Sequence, residues 1–267
     1  MQTLKVNFEQ FKINVLPNDW VGLSINQDQS WEPHITKFLR RNFTPDSVFI
    51  DVGSNYGWHS ITSSPYCGTI YSFEPQKFIH DVQIKSINEN GITNINLYNC
   101  GVGDKNETSQ MRPVDYDCPS INMGDLSVGE GGETIEIRTL DSFELPQVDL
   151  IKIDVQGYEK FVLEGSIQTI ERCKPTIIIE MENHQLDRFK YGVVDLFNQI
   201  RDFGYYIYFL DYFYPSDHVC VHKDKLQEFI KINGDYITEL NESNELNRNI
   251  ENGVTEKITY EKSKNIG

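Results

Sequence analysis

The sequence SVFIDVGSNYG at residues 47–57 constrains the fold more than any other stretch of the chain. Its VFI segment is apolar and largely β-branched, which is typical of a strand buried on both faces of a parallel sheet. Asp51 follows at the carboxyl end of that strand. Gly53 and Gly57 then allow a sharp turn and a close approach of the backbone to a ligand before the next helix. The pattern predicts an α/β fold with a cofactor-binding turn after its first core strand.

The acid in this turn narrows the class of ligand. A pyrophosphate is best matched by exposed amides without a facing carboxylate, whereas a sulfonium or α-amino cation is matched electrostatically by Asp51. S-adenosylmethionine carries both of these cations. The turn also lacks the third glycine of the dinucleotide fingerprint G-x-G-x-x-G. We therefore favour S-adenosylmethionine, with a nicotinamide or flavin dinucleotide and an ordinary glycine turn as the alternatives.

A second predicted strand also ends in an acid. Residues 69–73 (TIYSF) form a short β-rich run, and Glu74 and Pro75 come directly after it. The two oxygens of a carboxylate suit the two ribose hydroxyls of an adenosine. Glu74 and Pro75 are therefore assigned to the cofactor site, with Glu74 binding the ribose. The alternative is a solvated acid at a strand end.

Composition disfavours several classes of function. The chain has 267 residues, of which 39% are hydrophobic, enough for one sizeable α/β domain with extensions. Its formal net charge of -16 predicts repulsion of nucleic acid and of anionic membranes, so the expected partner is a small-molecule or glycan acceptor. Scattered cysteines and a start without a signal-peptide pattern predict a cytoplasmic protein with reduced thiols. The oligomeric state is left open.

From residue 47 onward, strand and helix patterns alternate, as expected of a doubly wound, mostly parallel, Rossmann-like sheet with helices on both faces. Residues 205–210 and 218–222 follow each other without room for a helix and predict an antiparallel hairpin at one edge. Seven strands are expected in all, the other five at 47–51, 69–73, 95–99, 148–153 and 176–181. Helices are expected over 33–42, 77–90, 158–172 and 191–203.

The chain is predicted to divide into a cap at 1–45, a cofactor-binding domain at 46–235 and a tail at 236–267. Residues 104–135 are rich in Gly, Asp, Ser and Pro and are interpreted as a lid over the substrate, with Arg112 or Tyr116 closing over the acceptor. The tail is polar and rich in Asn and Glu, with too few apolar residues to pack a core.

The third predicted strand leads into a pair of glycines at 101 and 103. An adenine ring needs a flat apolar slot, and the residues after this strand are candidates to line it: Asn99, Cys100, Gly101 and Val102. A plain glycine turn into the lid is the alternative.

A second acidic turn follows the fourth predicted strand. Parallel strands place Asp154 at the same sheet edge as Asp51, and Gly157 permits a tight turn before a helix. Glu159 falls in the first turn of that helix, where the helix dipole stabilises an acid. For Glu159, a purely structural role at the helix N-terminus is therefore the alternative to a role in the site.

Further acids and a histidine follow the fifth predicted strand. Glu180 and His184 are general-base candidates beside Asp154, with a solvated rim as the alternative for each. With Glu182 they also form a set that could bind Mg²⁺, an interpretation we do not favour. The remaining histidines belong to no recognisable constellation and are interpreted as structural: His34, His59, His80, His218 and His222.

The ordered series DVGSNYG, SFEP, NCGVGD, RTLDSF, LIKIDVQGYEKFVLEG and PTIIIE resembles the FkbM-type methyltransferases over about residues 43–182. The resemblance implies the class I S-adenosylmethionine-dependent fold, with strand order 3-2-1-4-5-7-6. It implies that Glu74 binds the ribose and that the methionine part is held by Asp51, Gly53, Asn55 and Gly57, with Ser54 in place of a more common alanine. Gln156 replaces the acid usual at its position.

The resemblance also implies a hydroxyl acceptor, usually on a sugar or another small metabolite. The predicted function is therefore O-methylation in glycan or secondary-metabolite modification. Such a reaction needs alignment, exclusion of water and a group that accepts one proton, for which Asp154 is the first candidate and His184 the second. A noncatalytic binding or scaffold protein with the same fold is the alternative, and an oxidoreductase ranks third.

Overall fold

The computed structural model describes residues 3–115, 118, 120–129, 131–210 and 217–233. Two of the sequence predictions, the lid residue Tyr116 and the tail at 236–267, lie outside these residues.

The strands are, in chain order, β1 Leu4–Phe8, β2 Phe11–Val15, β3 Val48–Val52, β4 Thr69–Phe73, β5 Ile95–Tyr98, β6 Gly101–Val102, β7 Glu107–Gln110, β8 Thr134–Arg138, β9 Leu150–Ile153, β10 Thr176–Glu180, β11 Tyr205–Phe209 and β12 Asp217–His222. The α-helices are α1 Trp20–Asp28, α2 Pro33–Asn42, α3 Trp58–Ser63, α4 Lys77–Glu89, α5 Glu159–Glu164, α6 Ile167–Cys173, α7 Asn183–Leu186, α8 Val193–Asp202 and α9 Leu226–Ile232.

Within the described residues, the central sheet has seven strands in the order β11-β12-β10-β9-β3-β4-β5. Neighbouring strands from β10 to β5 are parallel, and β12 is antiparallel to both β10 and β11. Counted along the chain, these strands run 3-2-1-4-5-7-6 across the sheet. The predicted fold class and the edge hairpin are confirmed. This topology brings the carboxyl ends of β3, β4, β9 and β10 to one edge of the sheet.

Strand alternation gives the sheet two buried faces. On β10, Ile177 and Ile179 pack into one apolar cluster with Leu163 of α5, while Ile178 packs into another with Phe38 of α2. All five side chains are fully buried. A β-branched run without polar interruption therefore forms a strand that needs helices on both sides.

The predicted helix at 158–172 is corrected to two helices, α5 and α6. The break falls at Gly165, where an added Cβ would lie 1.8 Å from the carbonyl oxygen of Gly103. The backbone of 165 thus packs directly on the turn after β6. The hydroxyl of Ser166 donates to the carbonyl of Val162 at 2.6 Å, which also favours a bend.

The segment predicted as a lid, 104–135, contains regular structure. Its strand β7 pairs antiparallel with β8, and β8 pairs in parallel with β6, forming a separate three-stranded sheet. A loop therefore spans only part of this segment.

The N-terminal segment covers one end of the sheet. Strands β1 and β2 form an antiparallel hairpin, and the backbone of Asn14 in β2 donates to Ser86 of α4 at 2.9 Å. Buried Asp19 caps α1 through Gly22 and also accepts hydrogen bonds from Tyr56 and from the backbone of Met123. One carboxylate thus joins the cap to the glycine turn and to residues 121–125. None of the helices described combines the length and the apolar character that crossing a bilayer requires.

Candidate active site

A cavity of about 450 Å³ opens at the carboxyl ends of the central strands. It is bounded by the turn after β3, by the ends of β4, β9 and β10, and by residues 122–128 from the segment between β7 and β8. Ten of the predicted site residues line it: Gly53, Ser54, Asn55, Glu74, Pro75, Gly101, Val102, Asp154, Glu180 and His184.

The glycine turn forms one wall of the cavity. The backbone amides of Gly53 and Ser54 both donate to the carbonyl of Phe73 in β4, at 3.1 and 3.0 Å. Gly53 has φ +78°, and an added Cβ would lie 1.9 Å from the carbonyl oxygen of Asp154. Only glycine satisfies both the left-handed conformation and this close approach. The buried Oδ1 atom of Asn55 accepts no hydrogen bond from the residues described, so the wall offers an unused acceptor.

Glu74 lies at the end of β4 with both carboxylate oxygens engaged. One accepts from the backbone amide of Gln76 at 2.8 Å and the other from that of Asn55 at 2.9 Å. Burial raises the pKa of Glu74 to about 7, and these two amides oppose that shift. Each oxygen keeps a second lone pair, so the carboxylate can still accept from a ligand diol.

Asp51 does not line the cavity, in contrast to the contact predicted for it. Alternation along β3 directs its side chain to the sheet face covered by α3, where Ser60 donates to it at 2.6 Å. Its register neighbours on the adjacent strands are Ser72 of β4 and Lys152 of β9. Asp51 therefore lies beneath the turn, where it accepts a hydrogen bond from α3 and its charge stabilises the buried cation Lys152.

Gly57, Asn99 and Cys100 also lie outside the cavity lining. An added Cβ on Gly57 would meet the side chain of Gln83 at 2.5 Å, so this glycine serves packing on α4. The amide of Asn99 donates to the carbonyls of Glu74 and Pro75 at 3.0 Å each. Cys100 is part of the apolar core. Gly101 and Val102 are the residues of this turn that reach the cavity.

The adjacent wall, at the ends of β9 and β10, carries a network of charged groups. Lys152 donates to Asp154 at 3.1 Å, and the side-chain amide of Gln156 donates both to Asp154 at 2.8 Å and to Glu180 at 2.9 Å. Gln156 adopts φ +57°, which turns its amide between the two carboxylates. An ionised acid at position 156 could only accept hydrogen bonds, so glutamine at this position suits the pair of carboxylates better than the acid of the family pattern.

The pKa values of Glu180 and Lys152 in this network are both raised, but for different reasons. Burial raises the pKa of Glu180 well above its usual range, and the charge of Asp154 adds to that shift. Burial alone would lower the pKa of Lys152, but the charges of Asp154, Glu32 and Asp51 raise it overall. Lys152 is therefore a permanent cation inside an acidic cluster.

His184 and Glu182 lie at the mouth of this wall. The His184 side chain is 53% exposed, and its Nδ1 lies 3.7 Å from a Glu182 carboxylate oxygen. Glu180, Glu182 and His184 do not continue as a row on one face of an extended strand, because α7 begins at Asn183. Among the described residues, no cluster of three or more His, Cys, Asp or Glu side chains is placed to hold a metal ion.

Glu159 is fully buried beneath the turn that follows β9. One of its oxygens accepts from the backbone amides of Val155 and Gly157, both at 3.1 Å, and the other accepts from the hydroxyl of Tyr191 at 3.4 Å. Burial raises its pKa to about 7. Glu159 therefore holds the turn in place and does not face the cavity.

These raised pKa values predict that the protein loses stability as the pH rises from about 4.5 to 7. Glu74 and Glu159 bind protons more tightly when folded than when unfolded, so ionisation in this window favours the unfolded chain. Each group contributes up to about 3 kcal/mol of this loss. Urea unfolding at pH 5 and pH 7.5 measures it. Glu159→Gln should flatten the dependence, whereas Glu171→Gln on the exposed face of α6 should not. Equal slopes in all three proteins would contradict the assignment.

A histidine–carboxylate pair completes the cavity, and the sequence analysis missed it. His59 Nε2 lies 2.7 Å from Glu32 Oε2, both side chains are at most 10% exposed, and both residues line the cavity. Burial raises the pKa of Glu32, but the hydrogen bond from His59 and the charge of Lys152 outweigh this and lower it to about 2. An ionised carboxylate only accepts, so the Nε2 atom carries the proton. The Nδ1 atom of His59 is buried and has no hydrogen-bond partner among the described residues.

The hexuronic acid methyltransferase AglP of Haloferax volcanii is 26% identical over 157 residues, 57% of this chain and 63% of that protein. This chain therefore spans less than two thirds of the length of that relative.

Solved structures with a similar fold are more distant in sequence. The FkbM methyltransferase of Methylobacillus flagellatus KT shares 16% identity, with a TM-score of 0.48, over 67% of this chain and 44% of that one. SMU.1697c of Streptococcus mutans, solved in complex with SAH, shares 12% identity with a TM-score of 0.46, over 70% and 94% of the two chains.

The sequence model of the methyltransferase FkbM domain matches residues 51–207, more than half of the chain. This match begins at the acid of the glycine turn and ends in β11, so it includes the strands that form the cavity edge. The chain belongs to the FkbM methyltransferase family.

Proposed function

We propose that this protein is an S-adenosylmethionine-dependent O-methyltransferase that acts on a hydroxyl group of a sugar or another small molecule. One observation carries the proposal. A single cavity joins the glycine turn and Glu74 to a histidine–carboxylate pair, His59 and Glu32. The first pair of features suits an adenosyl cofactor, and the second suits removal of a proton from an acceptor.

The first wall has the groups that this cofactor needs. S-adenosylmethionine, when bound, supplies a methyl group activated by a sulfonium. Gly53 keeps the turn free of side-chain bulk, and the unpartnered Oδ1 of Asn55 is an acceptor for the ammonium of the methionine part. Glu74 would accept from the ribose hydroxyls. A flat slot for the adenine is assigned to Pro75, Gly101 and Val102.

The second wall controls the proton of the acceptor. We assign His59 as the general base because its Nδ1 is unpaired and Glu32 stabilises the imidazolium that forms. Asp154, the first candidate from the sequence, has both carboxylate oxygens engaged, one by Lys152 and the other by Gln156. We assign to Asp154 and Glu180 the orientation of the acceptor hydroxyl, and to His184 a contact at the mouth.

A sugar is the favoured acceptor for two reasons. The similar protein from Haloferax volcanii is named for a hexuronic acid, which supports a sugar as the class of acceptor but not its charge. The cavity itself contains Glu32, Asp154 and Glu180 against the buried cation Lys152, so a neutral hydroxyl is better accommodated than an anionic group. A noncatalytic scaffold role is less well supported, because such a protein has no use for a cavity with an unpaired buried histidine nitrogen.

The test uses His59→Gln, which keeps a donor toward Glu32 but removes the base. We expect calorimetry to show unchanged binding of S-adenosylhomocysteine, and turnover with methyl hexopyranosides to fall by about 10²- to 10⁴-fold. His80→Gln, a histidine of α4 outside the cavity lining, is the matched control and should alter neither quantity. Failure of the unaltered protein to bind S-adenosylhomocysteine would refute the cofactor assignment. Full turnover in His59→Gln would refute only the assigned base.

A further inference from the structure

The chain has three tryptophans, and all three line the cavity. Trp58 is 3% exposed and its indole N–H donates to the hydroxyl of Thr36 at 3.3 Å, so it belongs to the packed wall. Trp20 is different, because it is 54% exposed, and Trp31 is partly exposed. A large indole left open to solvent beside a cavity is a feature that a ligand can cover.

Trp20 and Trp31 form a corner with two perpendicular walls. Their ring centroids are 5.9 Å apart and their planes meet at 84°, an edge-to-face contact. Trp20 is held at the start of α1, where its backbone amide donates to the carbonyl of Ile121 at 2.8 Å and Asp19 caps the helix. Because the backbone around it is hydrogen-bonded, the corner is organised before a ligand arrives.

Trp31 connects the corner to the proposed base. Trp31 directly precedes Glu32, whose carboxylate is bonded to His59 at 2.7 Å. Glu74, the residue assigned to the ribose, is instead at the end of β4, on the other side of β3 from Lys152 and β9. A group stacked on Trp31 is therefore placed near the proposed base.

We propose that Trp20 and Trp31 form a sugar-binding subsite that stacks on the C–H face of a pyranose ring in the acceptor. The proposal rests on the O-methyltransferase function and names its acceptor class. The C–H groups of a pyranose carry partial positive charge and suit the electron-rich face of an indole, while its hydroxyls need polar partners at the rim. The Asp125–Arg188 pair, with a 2.8 Å contact, lies on the same cavity and supplies acceptors and donors of that kind.

An uncharged aromatic surface suits the position of the tryptophan corner. The chain has a formal charge of -16 and its cavity already holds several carboxylates, so a further charged residue there would select ligands by the sign of their charge. An indole binds a neutral ring through buried apolar area. Removing about 50–60 Å² of such contact weakens binding by roughly tenfold.

The experiment is saturation-transfer NMR on the protein saturated with S-adenosylhomocysteine, with a mixture of the methyl pyranosides of glucose, galactose, mannose and glucuronic acid as the probe. We expect transfer to the ring C–H protons of at least one neutral pyranoside, lost or weakened roughly tenfold in Trp20→Ala and in Trp31→Ala. Trp20→Phe should retain it. Tyr206→Ala, which removes a 47% exposed ring from β11 outside the cavity, is the matched control and should also retain it.

Calorimetry with S-adenosylhomocysteine separates this proposal from the function on which it rests. If the nucleoside binds but no pyranoside receives saturation, or if transfer survives both alanine variants, the subsite is refuted while the cofactor assignment stands. If Trp20→Ala weakens nucleoside binding as much as sugar binding, the corner is part of the cofactor site and the proposal is refuted. If the nucleoside itself fails to bind, the proposed function fails first.

Discussion

Gly53→Ala is expected to abolish binding of S-adenosylmethionine and S-adenosylhomocysteine, with an affinity loss of at least about 100-fold, equivalent to about 2.7 kcal/mol. The new Cβ would be placed 1.9 Å from the carbonyl oxygen of Asp154, a backbone atom that cannot rotate away. The turn would have to move off β9, and with it the amides and the Asn55 side chain that form the cofactor wall. Isothermal calorimetry on the folded variant measures the loss.

Gly91→Ala is the matched control for this substitution. Gly91 also has a positive φ, +62°, but an added Cβ would meet nothing within 4 Å. The control therefore carries the conformational cost of a left-handed alanine, about 1 kcal/mol of stability, without the clash. It should bind S-adenosylhomocysteine normally. Normal binding by Gly53→Ala as well would show that the turn does not contact the cofactor.

Lys152→Met is expected to destabilise the protein by about 3–5 kcal/mol, the largest effect on folding that we predict. Lys152 is 3% exposed, and its charge is surrounded by Asp154, Glu32 and Asp51. Methionine fills a similar volume but leaves these buried carboxylates without a counter-charge. Urea unfolding at pH 7.5 measures the change.

Lys77→Met provides the comparison, because Lys77 forms an ion pair with Asp81 on the surface of α4, where both side chains are more than half exposed. Removing a surface pair of this kind alters stability by less than about 1 kcal/mol. If Lys152→Met were equally mild, the carboxylates of the cavity would not depend on a buried cation, and the charge balance inferred for this wall would be wrong.

Much of the fold was accessible from the sequence because its signals are local. The β-branched runs that became β3, β4, β9 and β10 each end in an acid or lead directly into one, and parallel topology requires those ends to meet at one edge. Glu74 and Asp154 could therefore be placed at one site without any coordinates. Glu159 was given a structural alternative because it falls in the first turn of a helix, and this is the role that it has.

The cavity lining departs from the predicted set where the direction of a single side chain decides which residues face it. Asp51 follows the predicted strand in the right place, but strand alternation directs its side chain under α3 to Ser60. Asn99 is close to the site yet donates to the backbone at 74 and 75, so it shapes the turn without facing the cavity. The break between α5 and α6 depends on a neighbour, Gly103, that is far away in sequence.

Periodicity and strand-end chemistry were thus enough to predict the sheet, its glycine turn and the acids at its edge, because each depends on a few consecutive residues. The acceptor side depended on long-range packing. His59 and Glu32 are separated by 27 residues and meet only because α2 and α3 cover the same face of the sheet. Trp20 and Trp31 likewise become a corner only when the N-terminal segment folds over the strand ends. Contacts between such distant segments leave no periodic trace, so tertiary structure alone decided which histidine and which tryptophans face the cavity.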